Sequence, residues 1–268
     1  MKFKNLAVKI LICGLLFFMG KYMSYASVVV LNGLTHEQIS VIGGSYKGTI
    51  EIQNTAEVAK SVKVYQRDYL FNYAGESRHD VPGELERSNA GWITFNPELM
   101  NLAPGQKAVI DYEVKVPEVD SLKGTYWSVL MVEGILPPDT SNTKKGVTIN
   151  TNIRYAVQIV TTLGNSGVSD LQFLGLEIAK EDAINILNVV VENTGERQLR
   201  PEIALELFDE KGNSAGVIKS ERRKTFPGTS IMATLFLEGI KPGKYTGVLV
   251  ADCDEDHVFG TNVSFEIE

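Results

Sequence analysis

Several stretches carry residue types that could do chemistry. GNSAG (212–216) matches G-x-S-x-G, the pattern in which a serine on a strained strand-to-helix turn becomes a nucleophile. Here it lies in FDEKGNSAGVIKSE, between two alternating runs, so it reads as a β-hairpin turn. His257 is the only histidine after it, which leaves Ser214 without a plausible base in sequence order. DCDEDH (252–257) has the D-x-D-x-D spacing of a calcium loop, but His257 and Val263 stand where an EF-hand loop needs Gly and Glu. It reads instead as an acidic turn between two strands. Cys253 keeps phase with Tyr245, Leu249 and Ala251, so a buried, inert thiol is expected. His36, His79 and His257 are not at ligand spacing, and no glycine loop opens a helix. These residues imply no catalysis, no metal and no cofactor.

Two stretches point to binding. In VYQRDYLFNY (64–73), Tyr65, Tyr69, Phe71 and Tyr73 fall on one phase of a strand, with Arg67 among them. Tyr65 is expected in a core. Tyr69, Phe71 and Tyr73 are a candidate aromatic binding strip, against the alternative that they also fill the core. In INTNIRYAVQIV (149–160), Ile153, Tyr155, Val157 and Ile159 share one face, while Arg154, Ala156, Gln158 and Val160 share the other. Arg154 is either a solvated residue on a polar face or an anchor for a ligand.

The elements that must position these residues are strands. GTIEIQN, KSVKVYQRDY, WITF, AVIDYEVKV, TYWSVLMVEG and INTNIRYAVQIV are short and alternating, and so are ILNVVVEN, EIALELF, GVIKSE, IMATLFL, YTGVLVADC and NVSFEIE. Gly, Pro, Asn and Asp separate them, a pattern that predicts β-sandwiches. The plan occurs twice. IEIQNTAE (50–57) answers VVVENTGE (189–196), LAPGQKAVIDYEV answers FPGTSIMATLFL, and LKGTYWSVLMVE answers KPGKYTGVLVAD. Tyr126 and Tyr245 stand where a tyrosine corner would, or are plain core aromatics. The fold class is therefore all-β: two tandem immunoglobulin-like sandwiches after a cleaved signal peptide. The expected segments are a leader over 1–26, a first sandwich over 27–163, a short linker over 164–167 and a second sandwich over 168–268.

The leader reading rests on Lys2, Lys4 and Lys9, the apolar run ILICGLLFFMG and the small residues of SYA before a cut after Ala26. Export to the periplasm or cell surface follows. The formal net charge is −7, and loss of four lysines with the leader makes it −11. An acidic chain without a basic stripe excludes nucleic acid as a partner and disfavours anionic membrane surfaces. Loss of Cys13 leaves Cys253 alone, so no internal disulfide is expected.

The order of pieces in residues 45–160 resembles the PapD-like periplasmic pilus chaperones. TIEIQNT is followed by SVKVYQRDY, ITFNPELMNLAPGQKAVI, GTYWSVLMVEGILPP and INTNIRYAVQIV. Pro137, Pro138 and Arg154 fall where the family has its prolines and a lysine. The resemblance implies a chaperone or assembly factor that holds a surface or fimbrial subunit by β-strand addition, with Val147, Ile149 and Ile153 facing the subunit and Arg154 as its anchor. The family's second basic anchor is an arginine on the first strand, and VVVLNGLTHEQISV (28–41) holds no arginine or lysine. A module binding cell-wall or surface polysaccharide, or another surface protein, through Tyr69, Phe71 and Tyr73 is the alternative.

Overall fold

A computed structural model of the protein describes residues 28–135, 153–181, 184–253 and 257–267. The expected leader over 1–26, Pro137, Pro138, Val147, Ile149 and residues 254–256 lie outside the described residues. Each of the twelve runs read as strands contains a strand, and the chain forms two pairs of sheets in succession.

In the first pair, one sheet has the order β1-β3-β8-β6: β1 is Val28–Val30, β3 Ser45–Asn54, β8 Lys107–Lys115 and β6 Ile93–Asn96. The facing sheet has the order β2-β10-β9-β4-β5, with β7 beside β4. Here β2 is Thr35–Ser40, β4 Lys60–Phe71, β5 Ser77–Asp80, β7 Leu99–Leu102, β9 Gly124–Ile135 and β10 Arg154–Leu163. The chain crosses between sheets after β1. Asn32 holds that corner: its Nδ2 donates to the Thr49 carbonyl and its Oδ1 accepts from Glu51 N–H. Gly33 follows at φ 92°, a conformation that favours glycine. Alternate residues of the two sheets, such as Ile50, Ile52, Val62, Ile110, Leu130 and Ile159, meet in the core.

In the second pair, one sheet is β11-β12-β15 and the other β14-β13-β16-β17. These strands are β11 Leu171–Glu181, β12 Ile184–Asn193, β13 Glu202–Asp209, β14 Ser214–Lys219, β15 Ser230–Phe236, β16 Gly243–Asp252 and β17 Val258–Ile267. Leu187, Val189, Ile203, Leu205, Leu235 and Leu249 fill its core. GNSAG spans the β13–β14 hairpin, with Gly212 and Asn213 in the turn and Ser214 opening β14, and Asp209 closes the turn, its carboxylate accepting from the N–H groups of Lys211 and Asn213. Cys253 is buried.

The repeat in the sequence is a repeated lock. Asn54 is fully buried at the end of β3, and its Nδ2 donates to the carbonyls of Val58, Leu102 and Ala103 at 2.9, 3.0 and 3.1 Å. Asn193 is fully buried at the end of β12 and does the same for Arg197 and Thr225 at 2.7 and 3.2 Å. In both, the amide oxygen accepts the N–H two residues on, at Ala56 and Gly195. Each Asn-Thr turn is thereby tied to its own Pro-Gly turn, which satisfies backbone groups that burial would otherwise leave unpaired. The two tyrosines part company. Tyr245 OH donates to the Lys241 carbonyl at 2.9 Å, the backbone bond of a tyrosine corner. Tyr126 packs on Trp92 with ring centroids 4.7 Å apart and lies under the Arg87 guanidinium.

The halves touch along the outer face of the β10-β9-β4 sheet. Trp127 stacks on Phe226 at 4.7 Å and 13°, and its Nε1 donates to the Tyr69 carbonyl at 2.7 Å. Val160, Tyr69, Leu70 and Phe71 complete this apolar contact. Beside it the backbones meet directly, with Thr125 N–H donating to the Glu196 carbonyl at 2.8 Å. Gly124 has φ 78°, and a Cβ there would overlap the Glu196 carbonyl, so only glycine permits this approach. Arg197 donates to the carbonyls of Gly164 and Ser166, which pins the short connection between the halves.

Candidate functional site

β10 pairs antiparallel with β9 along its whole length, Arg154 to Leu163. On its other side β2 pairs with it in parallel, but only from Gln158 to Leu163. Gln158 N–H points towards β2 and donates to the Leu34 carbonyl at 2.9 Å. Backbone groups alternate sides along a strand, so those of Ala156 and Arg154 point the same way. Among the described residues no strand pairs with them there. The first four residues of β10 thus present an unpaired edge, a template for another strand. β2 is pinned where it begins: His36 Nδ1 and Tyr112 OH are 3.1 Å apart, and burial holds the His36 pKa below its ordinary value of 6.5.

The side chains of this edge fall on two faces. Val157 and Ile159 point into the core, and Tyr155 packs against it. Ile153, just before the strand, is 44% exposed. Arg154 and Ala156 face outward, on the same side of the sheet as Trp127. Arg154 is exposed, and its Nε lies 3.2 Å from Glu133 Oε1. Glu133 also accepts from Tyr65 OH at 2.8 Å. Lys63 Nζ and the Arg67 guanidinium sit over the Tyr65 ring, 5.3 and 5.2 Å from its centroid. Partial burial and the Glu133 carboxylate together raise the Tyr65 pKa.

Tyr65 is therefore not in the core. Val62, Val64 and Asp68 occupy the buried phase of β4, and the aromatic phase faces outward. The reason lies in the polar partners of the core phase: buried Asp68 accepts from Leu85 N–H and Ser88 Oγ. The three rings of the candidate strip do not stand together in solvent. Tyr69 is half-buried and lies 5.6 Å from Phe71 and 5.3 Å from His79. Phe71 meets Phe226 edge-on at 6.2 Å, within the contact between the halves. Tyr73 is 48% exposed.

A cleft runs between the two halves where the pairing of β2 with β10 begins. A cavity of about 390 Å³ there is lined by Thr35, Tyr69, Gln158, Arg223, Lys224 and Phe226, among others. At its side Glu37 of β2 pairs with Lys224, lies 3.6 Å from Arg200 and accepts from Gln198 Nε2 at 3.0 Å. Burial lowers the Lys224 pKa. Sequence reading missed Glu37, Lys224 and the Trp127–Phe226 stack. The signal for the stack was present: YWSVLMV is apolar on both phases, which an antiparallel strand shows only when both its faces are covered. Among the described residues no group of three His, Cys, Asp or Glu is placed to hold a metal, and no helix is long and apolar enough to cross a membrane.

No protein-family model matches the chain, and no curated protein matches it. Solved structures do. The chain is similar to the class 5 fimbriae chaperone CfaA, at 11% identity and TM-score 0.49, over 88% of this chain and 98% of that one. It is similar to a chain of a chaperone–tip adhesin complex of CFA/I fimbriae biogenesis, at 13% identity and TM-score 0.48, over 89% and 98%. It is also similar to a chain of the CsuC–CsuE pre-assembly complex from archaic Csu pili of Acinetobacter baumannii, at 12% identity and TM-score 0.44, over 88% and 98%. These structures are named as fimbrial chaperones or their complexes.

Proposed function

We propose that this is a non-enzymatic, exported PapD-like protein, a periplasmic chaperone or assembly factor that holds a surface or fimbrial subunit by β-strand addition. The observation that carries the reading is the edge of β10 from Arg154 to Val157, which pairs with no strand among the described residues, on a strand fully laddered to β9. A partner strand laid against it gains main-chain hydrogen bonds and continues the sheet where β2 stops. Ile153, together with Val147 and Ile149 earlier in the chain, supplies apolar side chains to the partner, and Arg154 anchors it by a charge-assisted contact. Polysaccharide binding through Tyr69, Phe71 and Tyr73 is the weaker reading, because Phe71 is engaged by Phe226 and Tyr73 alone is well exposed.

Ala156→Pro tests the edge directly. Proline removes an outward N–H and leaves the β9 ladder intact, as edge positions tolerate. Co-purification of envelope proteins with the tagged protein should fall at least about tenfold, the effect of one or two lost hydrogen bonds. Arg154→Ala should weaken it less. Full capture by a folded Ala156→Pro variant would remove strand addition as the mechanism.

A further inference from the structure

β2 covers the edge of β10 from Gln158 to Leu163, yet little holds it there. No side chain of β2 is buried. The four apolar side chains of residues 34–42, Leu34, Ile39, Val41 and Ile42, are 37–68% exposed. β9, on the other side of β10, is buried almost throughout. β2 therefore gains little from apolar burial, the dominant favourable term in folding. Three things hold it: a six-residue ladder to β10, the contact of His36 with Tyr112, and a clasp to the second half. The clasp is Glu37, which pairs with Lys224, lies 3.6 Å from Arg200 and accepts from Gln198 Nε2. The segment is bounded by glycine turns, with Gly33 before it at φ 92° and Gly43 after it at φ 71°. Along the ladder, His36 stands opposite Ile159, which faces the core, and Glu37 opposite Val160, which faces the second half.

We infer that β2 is a displaceable strap: a partner strand added beside Arg154–Val157 runs on into its place and carries a carboxylate where β2 carries Glu37. The inference rests on the strand-addition reading and extends the docking edge from four residues to the ten of β10. The vacated place sets the partner's chemistry. On the core side, β2 puts the polar His36 against Tyr112 and beside Ile159, so an apolar side chain there gains burial that β2 forgoes. On the outer side, the Lys224 side chain is only 18% exposed, and departure of Glu37 leaves its charge half-desolvated without a partner. Glu76 lines the cavity beside Lys224 but is bound to Asn72 in its own hairpin. A carboxylate on the incoming strand restores the charge-assisted contact with Lys224 and Arg200. The matching segment is an apolar residue followed by Asp or Glu, on a strand that runs parallel to β10 as β2 does.

Hydrogen exchange on the whole protein tests the strap first. The backbone N–H groups of Gln158, Val160 and Thr162 face β2, and those of Ile159 and Thr161 face β9. The first set should exchange at least about tenfold faster than the second. Equal protection of both sets overturns the strap. The binding probes are two dye-labelled decapeptides of alternating threonine and valine, with glutamate or lysine at the seventh position, which falls opposite Val160. Fluorescence anisotropy should show the glutamate peptide binding about tenfold tighter than the lysine peptide. A disulfide between Thr35→Cys and Gln158→Cys, which are directly opposed in the ladder, should weaken the glutamate peptide about tenfold, and reductant should restore it. Equal binding to the oxidised and reduced forms overturns the strap and leaves strand addition standing. Equal binding of the two peptides overturns the carboxylate seat, and no binding by either overturns the whole inference. Strand addition fails separately, by undiminished binding of the glutamate peptide to Ala156→Pro.

Discussion

β9 and β16 stand at the same place in the two halves and are used differently. Aligned on Tyr126 and Tyr245, Trp127, Val129 and Met131 correspond to Thr246, Val248 and Val250. In β9 both phases are buried almost throughout. In β16 burial alternates, with Thr246 and Val248 exposed. The inner phases are interchangeable, since each fills a sandwich core. The outer phases record what lies beyond the sheet: the second half and a cluster of long side chains over β9, water over β16. A shared plan thus fixes how each half closes on itself, and the departures from it mark where one half meets something else.

The sharpest way to break this comparison is Trp127→Ala against Thr246→Ala. Loss of the Trp127 ring removes its stack on Phe226 and the bond to the Tyr69 carbonyl, which should cost about 3–5 kcal/mol and split thermal unfolding into two transitions. Thr246→Ala should stay within about 0.5 kcal/mol. A single unsplit transition in Trp127→Ala, read by calorimetry, would mean that the halves are coupled mainly through their backbones. The locks sharpen the opposite point, that the halves are alike. Asn54→Ala and Asn193→Ala should each cost about 2–4 kcal/mol, because each removes the amide that pairs a buried carbonyl, Leu102 for Asn54 and Thr225 for Asn193, together with part-buried ones, so the two costs should be alike. Urea titration of both variants checks the likeness.

The smallest effect concerns acid. His36 serves the first half, in contact with Tyr112, whose own pKa burial pushes up to about 12. Burial depresses the His36 pKa, so below about pH 6.5 the unfolded chain binds a proton that the folded chain resists. Stability should therefore fall as pH drops through 6.5, and the fall should end once the depressed folded pKa is passed. His36→Gln should flatten that part of the curve in thermal melts between pH 7.5 and 5. An unchanged slope would show that His36 is solvated in both states.

Much of the fold was legible because alternation reports burial directly. Runs such as TIEIQN and VVVEN needed only one covered face to be read as strands. β2 and β11 were not legible. THEQIS has one core-facing side chain that is itself polar, His36, and LQFLGLEIAKE is broken by a bulge at Phe173–Gly175 and by outward charges. The site was half legible. Arg154 could be singled out by its place on the last strand, but Glu133 and Lys63, its neighbours across two ladders, are far from it in sequence. Only pairing register brings them together. Tyr65 was misplaced because a one-sided aromatic phase looks like a core, whereas here the opposite phase carries the buried valines and a satisfied Asp68.

The parallel pairing of β2 with β10 also governs the order of events as the chain forms. Thr35 and Gln158 lie about 120 residues apart, and the sheet that contains β2 and β10 is not complete until that loop has closed. Such non-local closure belongs to the slow, millisecond-to-second class of β-sandwich folding. During synthesis β9 emerges before its neighbour β10, and its apolar edge waits for the rest of the chain. A protein proposed to complete another's sheet must first have its own completed, late, by the last strand of its first half.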